Sequence, residues 1–370
     1  MNPNLPLPHF IDRDPQTIVS DIVAQYQDKT GKTLYPAQIE RLWTDIIAYR
    51  ETLLREGIQD AAMQNLVRFA RAPMLDYLGE FYGVSRLPAQ QATTTLRFSL
   101  ESALDVPLPI PAGTRVEDNG GTVTFATDTD ALISVGQLGV EAIATAEEEG
   151  NTGNGWQPGQ IANLVDEFEV DLSAANVTVT ANGYDEEDDE RLRERIYLAP
   201  EAFTVAGPVG SYIYLAKSTH QSIVDVAVTS PIPGTVTLHI LTDSGVPNAN
   251  LLDQVYAVCS AEERRPLCDT VEVHPTTAIS YEITVELIPY TASPLQNTLS
   301  VAEANAMAFA RNISSKQGRD VVLGQIESAL LSAGVKKVVF TSPTEDIPVG
   351  KTETASCTAI NISMGEAEDE

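Results

Sequence analysis

Residues 93–100, Thr-Thr-Thr-Leu-Arg-Phe-Ser-Leu, separate two different patterns in the chain. Leu96, Phe98 and Leu100 alternate with polar residues, as in a strand that buries one face. Apolar residues at helical spacing precede this stretch, and short alternating segments separated by glycine and proline follow it. The stretch therefore predicts the junction between a helical N-terminal segment and a β domain.

The segment before the junction predicts helices with a wide apolar face. The first helix contains Ile18 and ends at Gly31, the second starts at Pro36, and the last starts at Pro73. The second carries a continuous apolar stripe of Ile39, Leu42, Trp43, Ile46, Ile47, Tyr49, Leu53 and Leu54. Because little else in this segment covers such a stripe, the helices pack either on each other or on another chain.

Short strands with glycine and proline turns are expected after the junction. These strands are predicted at residues 94–100, 122–126, 140–146, 168–172 and 177–180. From Asp185 onward, helices and strands both occur. The helices are predicted at residues 191–198, 209–218, 251–263, 301–314 and 321–332, and the strands at 223–229, 235–241, 270–273, 280–288 and 335–341.

These elements predict an α+β protein with an N-terminal helical arm, a central β domain and C-terminal α/β sandwich (ferredoxin-like) units. The predicted domains are a helical arm at 1–88, a β domain at 89–182, an α/β domain at 183–278 and a C-terminal α+β domain at 279–370. An acidic tail at 366–370 ends the last domain.

Composition restricts the classes of partner. The chain of 370 residues has 23 basic and 52 acidic residues, a net charge of −29, with 43% hydrophobic and 20% charged residues. These proportions are typical of a globular protein. The acidic balance disfavours nucleic acid and anionic membranes, which bind clustered Lys and Arg. No uninterrupted apolar stretch predicts a membrane span, and the N-terminus lacks the pattern of a signal peptide.

Residues that often carry chemistry are present but do not form recognisable sites. The four histidines, His9, His220, His239 and His274, are far apart, and Cys259, Cys268 and Cys357 match no zinc or disulfide pattern. Cys259 and Cys268 are expected to be buried small hydrophobes. The acidic run 185–190 is expected to be a solvated helix start, because consecutive helical residues point in different directions. The glycines of 150–156 are expected to form turns, since acids precede them and no lysine is present. We therefore predict no catalytic, cofactor or metal site.

Several segments, in order, resemble the baseplate J-like family, the wedge proteins of contractile phage tails and related injection machines. They lie at 110–114, 125–127, 140–146, 150–154, 159–164, 185–196, 204–207, 212–226, 233–241 and 265–273. The turn at 183–188 departs from the family, whose members often have a Gly-Gly pair and a Ser there.

The resemblance implies a structural, non-enzymatic subunit of the virion tail baseplate, made in the host cytoplasm. In that family two copies pair within a wedge, and the N-terminal helices bundle with a second wedge subunit. Neighbouring wedges, the hub and sheath-initiating proteins are further implied partners, and the ring transmits the contraction trigger. The residues expected to face the partner helix are Leu42, Ile46, Tyr49 and Leu53.

Three alternatives remain at this stage. The first is a wedge protein of a bacterial contractile injection machine, which the sequence does not separate from a phage protein. The second is a tail adhesin, although only 6% of residues are aromatic. The third is a cell-wall hydrolase, although no residue pattern selects one.

Overall fold

A computed structural model describes residues 5–203, 207–262, 264–266, 268–291, 295–331 and 334–368. The α+β class predicted from the sequence is confirmed. The chain forms two compact units, Met1–Ser85 with Asp188–Tyr197, and Arg86–Glu187 with Leu198–Glu370. The four-domain division stays a prediction. The residues of the predictions that lie outside the described part are 204–206 and 267 of the family-like segments, 263 and 332 of two predicted helices, and 369–370 of the acidic tail.

The first unit is helical. Its helices are α1 (Pro15–Thr30), α2 (Ile39–Met63), α3 (Met74–Glu80) and α4 (Asp189–Leu198), of which the last residue belongs to the second unit. Asp14 caps α1 by accepting from the Thr17 amide, and Gly31 ends α1 as predicted, with φ 67°. The prediction that α2 starts at Pro36 is wrong, because Pro36 lies in a turn that the Gln38 side chain closes on the Tyr35 amide.

Two buried arginines attach α4 to the N-terminal helices. Arg193 Nε and Nη2 donate to the Val67 and Ala70 carbonyls at 2.8 and 2.5 Å, and Arg195 donates to the Ser85 carbonyl at 3.1 Å. Arg193 is only 5% exposed. A charged donor on a buried carbonyl makes a strong hydrogen bond, so these contacts hold a distant segment of the sequence in the helical unit.

The second unit begins with a six-stranded sheet. Its strands and two extra short strands are β1 (Gln91–Leu100), β2 (Leu108–Ile110), β3 (Arg115–Asp118), β4 (Thr124–Thr127), β5 (Ala131–Ile133), β6 (Gly139–Glu149), β7 (Ile161–Leu164) and β8 (Leu172–Asn176). The order is β7-β3-β4-β6-β1-β8, and β2 pairs with β5 separately. The end strands meet where the Ile161 amide donates to the Asn176 side chain at 3.0 Å, which nearly closes a barrel. The alternation of Leu96, Phe98 and Leu100 is confirmed, since all three lie in the core.

Two strand predictions in this sheet are wrong. Residues 168–171 form a loop, and the strand begins at Leu172 and ends at Asn176. Residues 177–180 are irregular because the Thr178 side chain accepts from the Thr95 amide at 2.9 Å, in the place where a backbone carbonyl would continue the ladder.

Two further α/β segments complete the second unit. The first contains α5 (Val209–Lys217), β9 (Ile223–Thr229), β10 (Thr235–Thr242), α6 (Ala249–Cys259) and β11 (Thr270–Pro275), with sheet order β11-β10-β9. The second contains β12 (Thr277–Pro289), α7 (Leu295–Ser314), α8 (Leu323–Leu330), β13 (Val335–Ser342) and β14 (Glu353–Met364), with order β13-β12-β14. Each sheet buries apolar side chains under its helices.

Among the differences from the prediction here, one helix ends early and one strand was not predicted. Helix α6 ends at Cys259 and does not continue to 263, since Arg265 Nε binds the Ser260 carbonyl at 2.9 Å and redirects the chain. Strand β14 was not predicted, because its apolar and polar residues do not alternate regularly. Small residues interrupt the alternation, and the register with β12 shifts between Tyr281 and Glu282.

Replacing Arg193 tests the attachment of α4. We expect Arg193→Ala to lower the free energy of unfolding by about 3 kcal/mol, because it removes the donors to the buried Ala70 carbonyl and the partly buried Val67 carbonyl. Urea denaturation followed by circular dichroism measures the effect. Arg97→Ala is the control, since Arg97 is exposed and lies 3.9 Å from Glu141. Equal effects of the two variants would contradict the assigned role.

Asp118 tests the turn between β3 and β4. Burial alone would raise its pKa, but hydrogen bonds from the Val123, Gly120 and Thr122 amides, at 2.6 to 2.8 Å, outweigh burial and lower the pKa. Its stabilisation is therefore present above the unfolded-state pKa and disappears as the pH falls through the folded-state pKa.

We expect Asp118→Asn to destabilise the protein at neutral pH, with a difference from wild type that shrinks toward acid. Urea denaturation over a series of pH values measures this. Asp128→Asn, at an exposed position, is the control. A difference that does not change with pH would show that the carboxylate charge is unimportant.

Candidate interaction surface

Helix α2 buries its small and polar side chains and not its large apolar ones. Thr44, Ala48 and Gln59 are the residues of α2 that are buried, and α1 packs beside the helix. This is the reverse of a helix in a globular core, which buries its apolar stripe.

The N-terminal segment binds the same polar side of α2. The Gln59 amide donates to the Pro8 carbonyl at 2.8 Å and accepts from the Phe10 amide at 2.9 Å. Arg55 donates to the Asp12 carbonyl at 3.0 Å, and Arg13 lies 2.8 Å from Glu56. These contacts fix the rotation of α2 about its axis, so that its apolar side faces outward from the described part of this unit.

We call the four sequence-predicted residues Leu42, Ile46, Tyr49 and Leu53 the arm face. Their exposed fractions are 57%, 53%, 63% and 47%. Their spacing of four, three and four residues is that of the a and d positions of a coiled coil. Neighbouring large apolar residues are also exposed, namely Ile39, Trp43, Ile47, Leu54 and Ile58.

The chemistry of the arm face suits an apolar helix. The face itself carries no charge, and two ion pairs form within α2, Arg41 with Asp45 at 2.9 Å and Arg55 with Glu51 at 2.5 Å. A contiguous apolar surface of this kind marks an interaction site, and a facing helix with apolar a and d positions covers it.

The acidic run 185–190 leads into the first turn of α4, as predicted, and most of it is exposed, but Glu187 is buried and several of the carboxylates have structural partners. Asp185 accepts from the Asn151 amide at 2.9 Å, the buried Glu187 accepts from the Leu87 amide at 3.0 Å, and Asp188 caps α4 through the Arg191 amide at 2.8 Å. The Asp189 side chain accepts from the Ala72 amide at 3.2 Å. The carboxylates of the run therefore point to different elements of the chain.

The glycines of 150–156 form turns, as predicted. Gly150 has a φ of 109°, and a side chain on Gly183 would lie 2.3 Å from the Gly150 carbonyl. Asn154 joins the two segments by donating to the Gly183 carbonyl at 2.7 Å and accepting from its amide at 2.8 Å. The loop is therefore a structural connection to the segment that holds Asp185.

Of the other candidate residues, the structure brings together His239 and His274. Cys259 is buried, which raises the pKa of its thiol to about 12, but Cys268 is exposed, so its predicted burial is wrong. The ring centroids of His239 and His274 lie 6.0 Å apart. Burial lowers the pKa of His239, and the charge of the nearby His274 lowers it further.

Within the described ranges, no group of three or more His, Cys, Asp or Glu side chains is arranged to hold a metal ion. No helix among the described residues has the length and apolarity needed to cross a bilayer.

Four family models match successive parts of the chain. They are the Baseplate J-like N-terminal domain at 43–93, the Baseplate J-like protein barrel domain at 95–183, the Baseplate J-like central domain at 204–275 and the Baseplate J-like protein C-terminal domain at 281–363. The first of these contains most of α2 and three of the four arm-face residues, Ile46, Tyr49 and Leu53.

Individual proteins are also similar. Baseplate protein J of Escherichia phage P2 is 31% identical over 185 residues, which are 50% of this chain and 61% of that protein. The chain thus matches about three-fifths of the length of this curated relative. A chain in a cryo-EM structure of the anti-feeding prophage baseplate is also similar. The match covers 93% of this chain and 90% of that chain, with 14% sequence identity and a TM-score of 0.48.

The outward orientation of the arm face predicts a specific response to mutation. We expect Ile46→Asp to change the free energy of unfolding of the isolated chain by less than about 0.5 kcal/mol, because the side chain is already exposed. Ala48→Asp is the matched control, and it should destabilise by several kcal/mol since it places a charge on the buried side (roughly 3 or more). Urea denaturation distinguishes the two. A large loss for Ile46→Asp would mean that the arm face is covered within the chain.

Proposed function

Because the chain belongs to the baseplate J-like family, we propose that it is a structural subunit of a contractile-tail baseplate, located in the virion. Family models match most of the chain, and the relative from phage P2 carries the name of a baseplate protein. The chain acts by assembly, and we expect no catalytic activity.

The observation that carries the finer proposal is the arm face. A helix with outward apolar residues at coiled-coil spacing is suited to a helical partner. We assign this surface to a second wedge subunit, which covers Leu42, Ile46, Tyr49 and Leu53 in the assembled baseplate. The ion pairs beside the face are already formed within α2, so the partner is not required to neutralise them.

Two copies of the chain pair within each wedge in this proposal. Wedges join into a ring around the hub, contact sheath-initiating proteins and transmit the contraction trigger. The chain's net charge of −29 limits contacts between copies to surfaces where few carboxylates meet. A role in a bacterial contractile injection machine would use the same surfaces.

Ile46→Asp tests the helical partner. When the variant is co-expressed with the neighbouring tail genes, we expect loss of co-purification with the helical wedge subunit, because a carboxylate is buried in an apolar contact. Affinity purification followed by light scattering measures the composition of the complex.

A surface change of the same kind elsewhere is the control. Tyr256 on α6 is 50% exposed, close to the 53% of Ile46. We expect Tyr256→Asp to keep the partner. Unchanged co-purification of Ile46→Asp would refute the assignment of the arm face.

A further inference from the structure

A cavity of about 460 Å³ lies in the second unit, lined by the start of β1, the end of β10 and the first turns of α6. Asn182, Ser244 and Asn250 of its lining are exposed, whereas Ser222 and Thr242 are buried. The volume is within the range of small-molecule sites, roughly 300 to 1,000 Å³. The arm face belongs to the first unit, so this cavity is a separate feature of the chain.

The lining of the cavity is polar and uncharged. Six of its 15 residues carry side-chain amides and six carry hydroxyls, and the other three are His220, Pro247 and Leu251. No Asp, Glu, Lys or Arg is found among the described residues of the lining, although 20% of the chain is charged. Asp243, outside the lining, accepts a hydrogen bond from the Tyr184 hydroxyl at 3.4 Å. The amides belong to Gln90, Gln91, Asn182, Asn248, Asn250 and Gln254.

Contacts within the chain hold part of this wall in place. The Asn182 side-chain amide donates to the Thr93 hydroxyl at 2.8 Å, and the Tyr184 and His220 rings meet edge to face with centroids 5.3 Å apart. The His220 Nδ1 atom accepts from the Ser222 amide at 3.0 Å, which fixes the ring. The cavity is therefore formed before a ligand binds, which lowers the ordering cost of binding.

Three amides of the lining have unused hydrogen-bonding groups. The side chains of Gln90, Asn250 and Gln254 make no hydrogen bond to other described residues of the chain. Asn250 and Gln254 are four residues apart on α6, so they lie on the same face of the helix. Each of the three amides offers both donors and an acceptor to a ligand.

Charged and apolar ligands do not suit this lining. A phosphate or carboxylate needs Lys or Arg beside it, and the first turn of α6 is already capped by Asn248, which accepts from the Leu251 amide at 2.9 Å. A metal ion needs several His, Cys, Asp or Glu ligands, and the residues that the structure describes form no such group of three or more. An apolar ligand needs a mostly apolar wall, whereas here Pro247 and Leu251 are the apolar residues.

A peptide does not suit the lining either. Peptides bind to an open strand edge, to an apolar groove or to a groove with several aromatic residues. The backbone of Gln90 is already paired with Tyr184, and that of Thr93 with Ala181, so this wall offers no open edge. The aromatic rings of the lining are those of Tyr184 and His220, which contact each other.

A neutral sugar has the complementary chemistry, because each of its hydroxyls both donates and accepts, as the amides and hydroxyls of the lining do. We propose that this cavity binds an uncharged mono- or disaccharide, held by hydrogen bonds to Gln90, Asn250 and Gln254. The chain thus carries a ligand site in addition to the surface through which it assembles. This site does not depend on the arm face or on its partner.

Saturation-transfer difference NMR on the full chain tests the proposal. The neutral probes are glucose, maltose and N,N′-diacetylchitobiose, and the charged probe is glucuronate. We expect at least one neutral sugar to bind with a dissociation constant of about 1 mM, since only neutral hydrogen bonds hold it. Glucuronate should not bind, because no cation lines the cavity to receive its carboxylate. A lack of response to all the neutral sugars, or equal binding of glucuronate, would overturn the proposal.

A double substitution on α6 locates the site. We expect Asn250→Ala combined with Gln254→Ala to weaken binding of the responding sugar about ten-fold or more, because two hydrogen-bonding side chains are lost. Both side chains are exposed, so the fold should persist, and circular dichroism verifies it.

Gln296→Ala combined with Asn297→Ala is the matched control, since it removes one Gln and one Asn side chain at exposed positions on α7, outside the cavity. We expect this control to bind the sugar like the wild type. Equal affinities of the two double variants would mean that the sugar binds elsewhere, which would refute the assignment of this cavity. Co-purification of the α6 variant with the helical subunit should be unchanged, so the result is independent of the one obtained with Ile46→Asp.

Discussion

The helical unit depends on a buried guanidinium. Arg193 donates to carbonyls of the turn that follows α2, at Val67 and Ala70, and Arg195 donates to the carbonyl of Ser85. Around these contacts α4 also supplies the buried Leu192 and Ile196. Since α2 turns its large apolar residues outward, it supplies little core of its own. The hydrogen bonds and the apolar side chains of α4 compensate for that loss, because a buried charged donor with satisfied partners is both strong and specific in its geometry.

This arrangement explains how an exposed apolar surface coexists with a defined fold. Gln59 and Arg55 bind the N-terminal segment on the polar side of α2, and Thr44 and Ala48 allow close packing there. The arm face is therefore available without any rearrangement of the chain. A surface that is present before assembly reduces the ordering cost of binding.

Local patterns predicted the elements whose signal lies within the element itself. The alternation through Leu96 and Phe98 predicted β1, and Gly31 predicted the end of α1, because burial and a left-handed cap act on adjacent residues. The arm-face residues were found from helical spacing, but spacing does not tell which side of α2 its own chain covers. That depends on Gln59 meeting Pro8, 51 positions away. Likewise, Thr178 replaces a ladder bond and the acidic run reaches several elements, and neither contact has a local signal.

The discontinuity of the helical unit has a consequence for synthesis on the ribosome. Helices α1 to α3 emerge first, but α4, which carries their anchoring arginines, follows only after the whole of residues 86–187. The barrel sequence is thus complete before the helical unit has all of its parts. An N-terminal unit normally folds first during translation, whereas here the order is reversed, and the nascent arm stays unfinished until Tyr197 has left the exit tunnel.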